Sequence, residues 1–233
     1  MNRNSPTPDI ETSSDAYANR FAGKTGEWML GVQYRITASY VAEIPGASIL
    51  DVGGGHGQLA IPLSDSGHKV TVLGSSESCR KRIDSAVREG RCAFAAGSVL
   101  QLPFPDNSFD IAMSFRLITH LPQWKNLVAE LCRVCRSFVV ADYPAKASVN
   151  LAAPMLFGAK KKIEGDTRTW KLFSHSEINE CFVENGFAVQ SRKGQFFLPM
   201  ALHRALKSRY LSSTLENICA TLGLTHLWGS PVI

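Results

Sequence analysis

No stretch of this 233-residue chain approaches the ~18 consecutive apolar residues of a membrane-spanning helix. The opening residues, MNRNSPTPDIETSSD, hold no apolar core of the kind that marks an export signal, so a cytoplasmic protein is the expectation. Internal repeats and low-complexity tracts are missing, which excludes solenoids and fibrous chains. Charge of either sign is in short supply as well. The net charge of +5 is too small and too dispersed to draw the footprint of a nucleic-acid binder. The six cysteines lack the spacing of a secreted disulfide framework. Cys132 and Cys135 form a CxxC, but a zinc site needs a second pair. They read as small buried apolar residues on one helix, and no metal is expected.

What is present fits a globule of ordinary composition, with 45% hydrophobic and 19% charged residues. The length suits one domain with a cap. Residues 1–14 are polar and read as a disordered tail. Residues 15–233 read as a single domain, with a core at about 45–145 and a cap built from 15–42, 146–175 and 199–222. The charge divides unevenly. Residues 1–145 carry 14 Lys+Arg and 14 Asp+Glu, whereas residues 146–233 carry 11 and 6. Any acidic partner is therefore expected to meet the second part.

Strand and helix patterns alternate from residue 48 onward. Strands are expected at 48–52, 69–73, 93–96, 109–114 and 138–141, with helices at 57–64, 78–89 and 124–135 between them. Apolar residues at helical spacing between 15 and 42 give one or two further helices. Such alternation implies a parallel sheet covered on both faces. Beyond Asp142 the pattern changes. Ser174 and Glu177 make a capping box for a helix over 174–185, a strand follows at 187–192, and a long helix runs from Pro199 to about Leu222. The terminal SPVI reads as a last edge strand.

The segment ILDVGGGHGQLA, Ile49 to Ala60, carries the chemistry. Glycines cluster where a strand gives way to a helix, so a ligand approaches the backbone closely there. Gly55-His56-Gly57-Gln58-Leu59-Ala60 fits the dinucleotide fingerprint GxGxx[G/A], and Gly53-x-Gly55-x-Gly57 fits a second pattern that follows Asp51. Asp51 separates them. A carboxylate at the strand end repels a pyrophosphate and suits a ligand with an ammonium group, such as S-adenosylmethionine.

ILDVGGGHGQLA resembles the first motif of the class I S-adenosylmethionine-dependent methyltransferases. LPFPDNSFDIAMS and HLPQWKNLVAELCRV are similar to a later strand and helix of the same superfamily, in the small-molecule branch related to ubiquinone-biosynthesis methyltransferases. The resemblance covers roughly residues 47–144, with a weaker echo at 173–187. It implies a Rossmann-like fold: a mostly parallel seven-stranded sheet flanked by helices, with a helical cap. It implies S-adenosyl-L-methionine as cofactor and a small molecule as methyl acceptor. By position, Asp51, Gly53, Gly55 and Gly57 would line the methionine half, and Gly74 and Ser75 the ribose. Ser98 and Val99 would meet the adenine, and Phe115 would lie beside the transfer site.

Two positions depart from the family pattern. Gly74 stands where an acid usually accepts the ribose hydroxyls, and Ser98 where an acid usually meets the adenine. A serine lacks the charge-assisted strength of a carboxylate, a loss of about 1.5–3 kcal/mol. Two further readings stay open at this point: a non-catalytic binding or regulatory protein with a degraded cofactor site, and an NADP-dependent oxidoreductase that uses Arg80 near the end of the second strand.

Methyl transfer from a sulfonium is an in-line displacement, so positioning dominates. A base is needed only when the acceptor must shed a proton. His120, on the carboxyl side of the sheet, is the candidate base. Arg116 either holds an acidic substrate group or simply pairs with Asp142 or another surface acid, and Tyr143 either lines the substrate pocket or packs. Tyr17 and Phe21 are candidates for a lid, and His56 is expected to face solvent. The basic helical stretch at 199–222 is a candidate for contact with a membrane surface or a lipid-like, anionic acceptor.

Overall fold

The computed structural model describes residues 8–148 and 171–233. Among the described residues, five parallel strands form the sheet: β1 (Ser48–Val52), β2 (Lys69–Gly74), β3 (Ala93–Ala96), β4 (Phe109–Ser114) and β5 (Cys135–Ala141), in the order β3-β2-β1-β4-β5. Order reverses beside β1, which opens a crevice at the carboxyl ends of β1, β2 and β4. The central strands bury both faces, so they read as nearly continuous apolar runs. Leu50, Val52, Leu73 and Ala112 face one layer, which holds α6 (Trp124–Val134) and α7 (His175–Glu184). Ile49, Val70, Val72, Ile111 and Met113 face the other, which holds α3 (Gly23–Val41), α4 (Ala60–Asp65) and α5 (Asp84–Arg88).

The expected seven-stranded sheet is five strands plus a separate antiparallel ribbon of β6 (Lys193–Gly194) and β7 (Pro231–Val232). The ribbon lies against β5: Ala141 and Ile233 exchange backbone hydrogen bonds of 3.0 and 2.9 Å, and Asp142 bridges Val232. Residues 187–192 form no strand, because the ladder starts only at Lys193. The expected helix at 78–89 is a 3-10 turn, Glu77–Arg80, followed by α5. The helix of 199–222 is broken into α8 (Met200–Leu206), α9 (Arg209–Thr221) and α10 (Leu224–Trp228), with Lys207 left-handed at φ 49°. Cys135 is on β5 rather than on the helix of Cys132, and both thiols are buried as expected. Lys160–Lys162 and most of the 146–175 cap lie outside the described residues.

The tail is also different from its reading. Pro8–Thr12 forms α1, and Asp9 is fully buried. It is followed by α2 (Asp15–Ala18) and a 3-10 turn at Asn19–Phe21. The capping box at Ser174 and Glu177 is present. The Ser174 backbone N–H and the Lys146 and Lys171 ammonium groups hold the Glu177 carboxyl down at about 2.

The C-terminal helices turn on buried polar contacts. The Glu216 carboxylate accepts from the backbone N–H of Phe197 at 3.0 Å and of Leu198 at 2.8 Å, with His203 Nε2 at 3.0 Å. A Cβ on Gly194 or Gly229 would come within 2.1 or 2.3 Å of the Thr225 carbonyl, so α10 is wedged between two glycines. Truncation of Glu216 strands two backbone donors. Glu216→Ala is expected to lower unfolding free energy by about 2–4 kcal/mol, seen as a reduced urea midpoint.

Candidate active site

A narrow cleft lies at the carboxyl ends of β1 and β4, lined by Asp51, Gly53, Gly54 and His56 together with Phe115 and Arg116. Asp51, the penultimate residue of β1, is 3% exposed. Its Oδ2 stands where a Cβ of residue 54 would be, at 2.0 Å, so Gly54 is the glycine that admits the carboxylate. Burial raises Asp51 to about 7. A buried carboxyl with that affinity for a proton gains by meeting a cation instead. Gly53, at φ 81°, lets the chain turn left-handed off the strand.

Gly57 serves packing rather than the cleft: a Cβ there would meet Ile83 Cγ2 at 2.7 Å. His56 does not face solvent. Its ring lies edge-on to Tyr17 and Phe21, and both ring nitrogens are buried without partners. Burial, aided by the Arg116 and Arg82 charges, pushes it down to about 4, so the ring is neutral at pH 7. Tyr17 and Thr12 also line the cleft, which sets the N-terminal segment over it.

Arg116 is left-handed at φ 58° and joins three parts of the wall. Its backbone N–H donates to Asp142 Oδ1 at 2.6 Å, while its guanidinium donates to Gln33 Oε1 at 2.7 Å and Gln58 Oε1 at 3.1 Å. The same group lies 4.4 Å from the Phe21 ring centroid. The expected pairing with Asp142 thus runs through the backbone rather than the side chain. Burial raises the Asp142 carboxyl, and the Arg116 N–H and charge pull it back.

Other candidates fall elsewhere. The Tyr143 hydroxyl is taken up by His175 Nδ1 at 2.7 Å and Arg192 Nε at 3.1 Å, and its ring is buried against Phe173. That packing leaves it no face toward the cleft lining. His120 is half-buried on the 3-10 turn Ile118–His120 after β4, and it is not among the cleft-lining residues. Val99 is buried, and the Ser98 hydroxyl accepts from the Leu100 N–H at 3.2 Å within its own turn. Arg80 pairs with Asp84 at 2.9 Å.

Gly74 and Ser75 have a specific environment. Cys79 folds back over Gly74, whose Cβ would lie 2.5 Å from the cysteine Cβ. An acid at 74 has no room there. Instead Asp9 of α1 meets the strand end: Oδ2 accepts from the Ser75 N–H at 2.6 Å and Oδ1 from its hydroxyl at 2.7 Å. Cys79 Sγ donates to the same carboxylate at 3.4 Å. Ser13 Oγ stands 2.3 Å from where a Cβ of residue 55 would be. The close backbone approach that Gly55 permits is therefore taken up by the chain's own N-terminal segment.

Comparisons with known proteins agree with this architecture. Residues 50–138 match the family described as "Methyltransferase domain". The chain is similar to a demethylmenaquinone methyltransferase of Renibacterium salmoninarum, 34% identical over 140 residues, covering 58% of this chain and 54% of that one. It is also similar to a ubiquinone/menaquinone biosynthesis C-methyltransferase of Paracoccus denitrificans, 36% identical over 106 residues, covering 42% and 41%. The chain thus spans about half the length of the curated relatives it matches. Among solved structures, the magnesium protoporphyrin IX methyltransferase of Synechocystis with bound SAH superposes with a TM-score of 0.63 at 16% identity, covering 78% of this chain and 87% of that one. Residues 50–138 therefore carry a methyltransferase domain, and the described residues have the fold of the S-adenosylmethionine-dependent methyltransferase structures they superpose on.

The residues present fit the methionine end of that cofactor. Asp51 is a buried carboxyl short of a cation, and Gly53 and Gly54 leave the loop bare before it. At the end of β2 the Ser75 donors are taken by Asp9, and the Gly55 backbone is covered by Ser13. The Asp51 reading has a direct consequence for stability. Its folded value lies above the ordinary carboxyl range, so its contribution is full at acid pH and is lost as pH rises from about 4 to about 7. Asp51→Asn is expected to flatten that decline, measured as urea midpoints at pH 5 and pH 8.

Proposed function

We propose that this chain transfers the methyl group of S-adenosylmethionine to a small apolar or lipid-like acceptor with an acidic group. The observation that carries the proposal is Asp51, a buried carboxyl at the head of the glycine loop in the cleft it shares with Phe115 and Arg116. When bound, the cofactor supplies a sulfonium methyl already activated for displacement. Asp51 holds its ammonium group. Phe115, 8% exposed and next to the cleft, excludes water from the transfer site. Arg116 presents the cationic edge of its guanidinium to an anionic acceptor while Gln33 and Gln58 fix it. An acceptor hydroxyl would lose its proton to solvent as the carbon–oxygen bond forms and the carbon–sulfur bond breaks, because His120, the candidate base, does not line the cleft. The relatives above are named for demethylmenaquinone methylation and for ubiquinone/menaquinone biosynthesis, which supports an apolar acceptor.

A second reading, a binding or regulatory protein on the same fold, draws support from Asp9, Ser13 and Cys79 filling the adenosyl end. Calorimetry with S-adenosylhomocysteine separates the two. A Kd below about 1 mM is expected, and no heat of binding at that concentration would remove the enzyme reading. The affinity is expected to rise between pH 6 and pH 8, as Asp51 gives up its proton to pair with the ligand ammonium, and to lose that dependence in Asp51→Asn.

The C-terminal helices support a lipid contact. Leu211, Leu215, Ile218 and Leu222 form one exposed stripe on α9, while Ser212 and Glu216 of the same helix are buried. Tyr210 and Trp228 are exposed beside the stripe, Lys207 and Arg209 flank it, and Glu216 is the one acid between residues 199 and 233. An apolar stripe with aromatic and cationic neighbours and no exposed acid matches an anionic lipid surface. We assign that surface as its partner. Co-sedimentation is expected with phosphatidylglycerol vesicles and not with phosphatidylcholine vesicles, and Leu215→Glu/Ile218→Glu should abolish it. Dimerisation through this face in sedimentation velocity, with no vesicle binding, would reject the assignment.

A further inference from the structure

The chain itself fills one end of the cofactor cleft. Asp51, Phe115 and Arg116 line the cleft, whereas Ser75 is held by Asp9 of α1 and the Gly55 backbone is covered by Ser13, which follows α1. We propose that α1 is a gate built into the cofactor site: Asp9 and Ser13 hold the seat of the adenosyl group, and the ligand enters by displacing residues 8–14. The inference rests on the cofactor reading above.

The chemistry of the contact suits a gate better than a permanent wall. At five residues, α1 is far below the ~12–15 at which a helix persists alone, so tertiary contacts hold it in place. Its contacts with the end of β2 and with Cys79 are polar. Its buried residues are Pro8, Asp9 and Thr12, while its large apolar residue, Ile10, is 39% exposed. Asp9 uses both donors of Ser75, the N–H and the hydroxyl. These are the donors that the strand end offers to a ligand hydroxyl. Hydrogen bonds exchange between partners at small net cost, about 1 kcal/mol each, whereas buried apolar surface does not exchange. Thr12 and Ser13 donate to the Asp9 carbonyl at 3.1 and 2.7 Å, which keeps the turn compact as a unit.

A second latch lies beyond the helix. Asp15 pairs with Lys81 and Arg82, each at 2.8 Å, on the loop that also carries Ser75 and Cys79. That loop therefore grips the segment at both of its ends. The Asp15 pairs are at the surface, where salt screens them and thermal opening is easy. A ligand that binds only the open form is weakened by the fraction of chains that are closed. Removal of the Asp9 carboxylate should return that fraction.

The test uses the full chain. S-adenosylhomocysteine is titrated calorimetrically into the wild type and Asp9→Ala. The variant is expected to bind about tenfold tighter or more. Equal affinity removes the gate and leaves the cofactor reading standing. Weaker binding by the variant also removes the gate, because Asp9 then acts as a cofactor ligand that replaces the acid absent at position 74. No binding by either protein at about 1 mM removes the cofactor reading and the gate with it. Hydrogen exchange on the wild type gives a readout independent of any variant. Amides of residues 8–14 should exchange faster when S-adenosylhomocysteine is added. Slower exchange would mean that α1 closes over the ligand, and would overturn the proposal.

Discussion

The 2.6 Å hydrogen bond from the Arg116 N–H to Asp142 organises the functional end of the molecule. It ties the end of β4 to the end of β5 and holds Arg116 in a left-handed turn that a long side chain seldom adopts. That turn throws the guanidinium back across the cleft toward Gln33 of α3, Gln58 of the glycine loop and the Phe21 ring. Gln33 reaches Asp142 as well, at 3.4 Å, so the network closes on itself. Three separate chain segments thereby acquire fixed positions around one buried carboxylate, and the cationic edge of the cleft is set before any ligand arrives. A closed network of this kind leaves little to reorganise when charge develops nearby.

Two carboxylates near the cleft illustrate opposite solutions to burial. Asp51 has burial as the dominant influence and holds its proton up to about 7. Asp9 is just as inaccessible but is met by the Ser75 N–H and hydroxyl and by Cys79. The first is short of a partner, and the second has found partners within the chain. The missing acid at position 74 follows from the same packing, because Cys79 occupies the space that an acid side chain would need.

Much of the scaffold was legible from periodicity. The strands at 48–52, 93–96 and 109–114 match residue for residue, because buried parallel strands announce themselves as short apolar runs. The capping box at Ser174 carried its own local chemistry and was found as read. What escaped was decided by long-range contacts. Residues 8–12 show no apolar signal, since they are held by hydrogen bonds to a strand end more than sixty residues away. The break at Lys207 depends on one left-handed residue that no turn-forming glycine or asparagine marks. Of the expected site residues, Asp51, Gly53, Phe115 and Arg116 line the cleft. Gly54 was passed over because motif spacing favours its neighbours, and the Tyr143 ring packs against Phe173, a direction that a strand-end position does not reveal.

The two glycines that clasp the Thr225 carbonyl have a consequence for kinetics. With α10 wedged by Gly194 and Gly229, and α9 anchored through Glu216 to the Phe197 and Leu198 backbone, the exposed leucine stripe is carried on a rigid mount. Contact with another surface then requires no folding of the helices and little loss of chain entropy. Association of such a platform is governed by diffusion and electrostatic approach, and its lifetime by the area it covers.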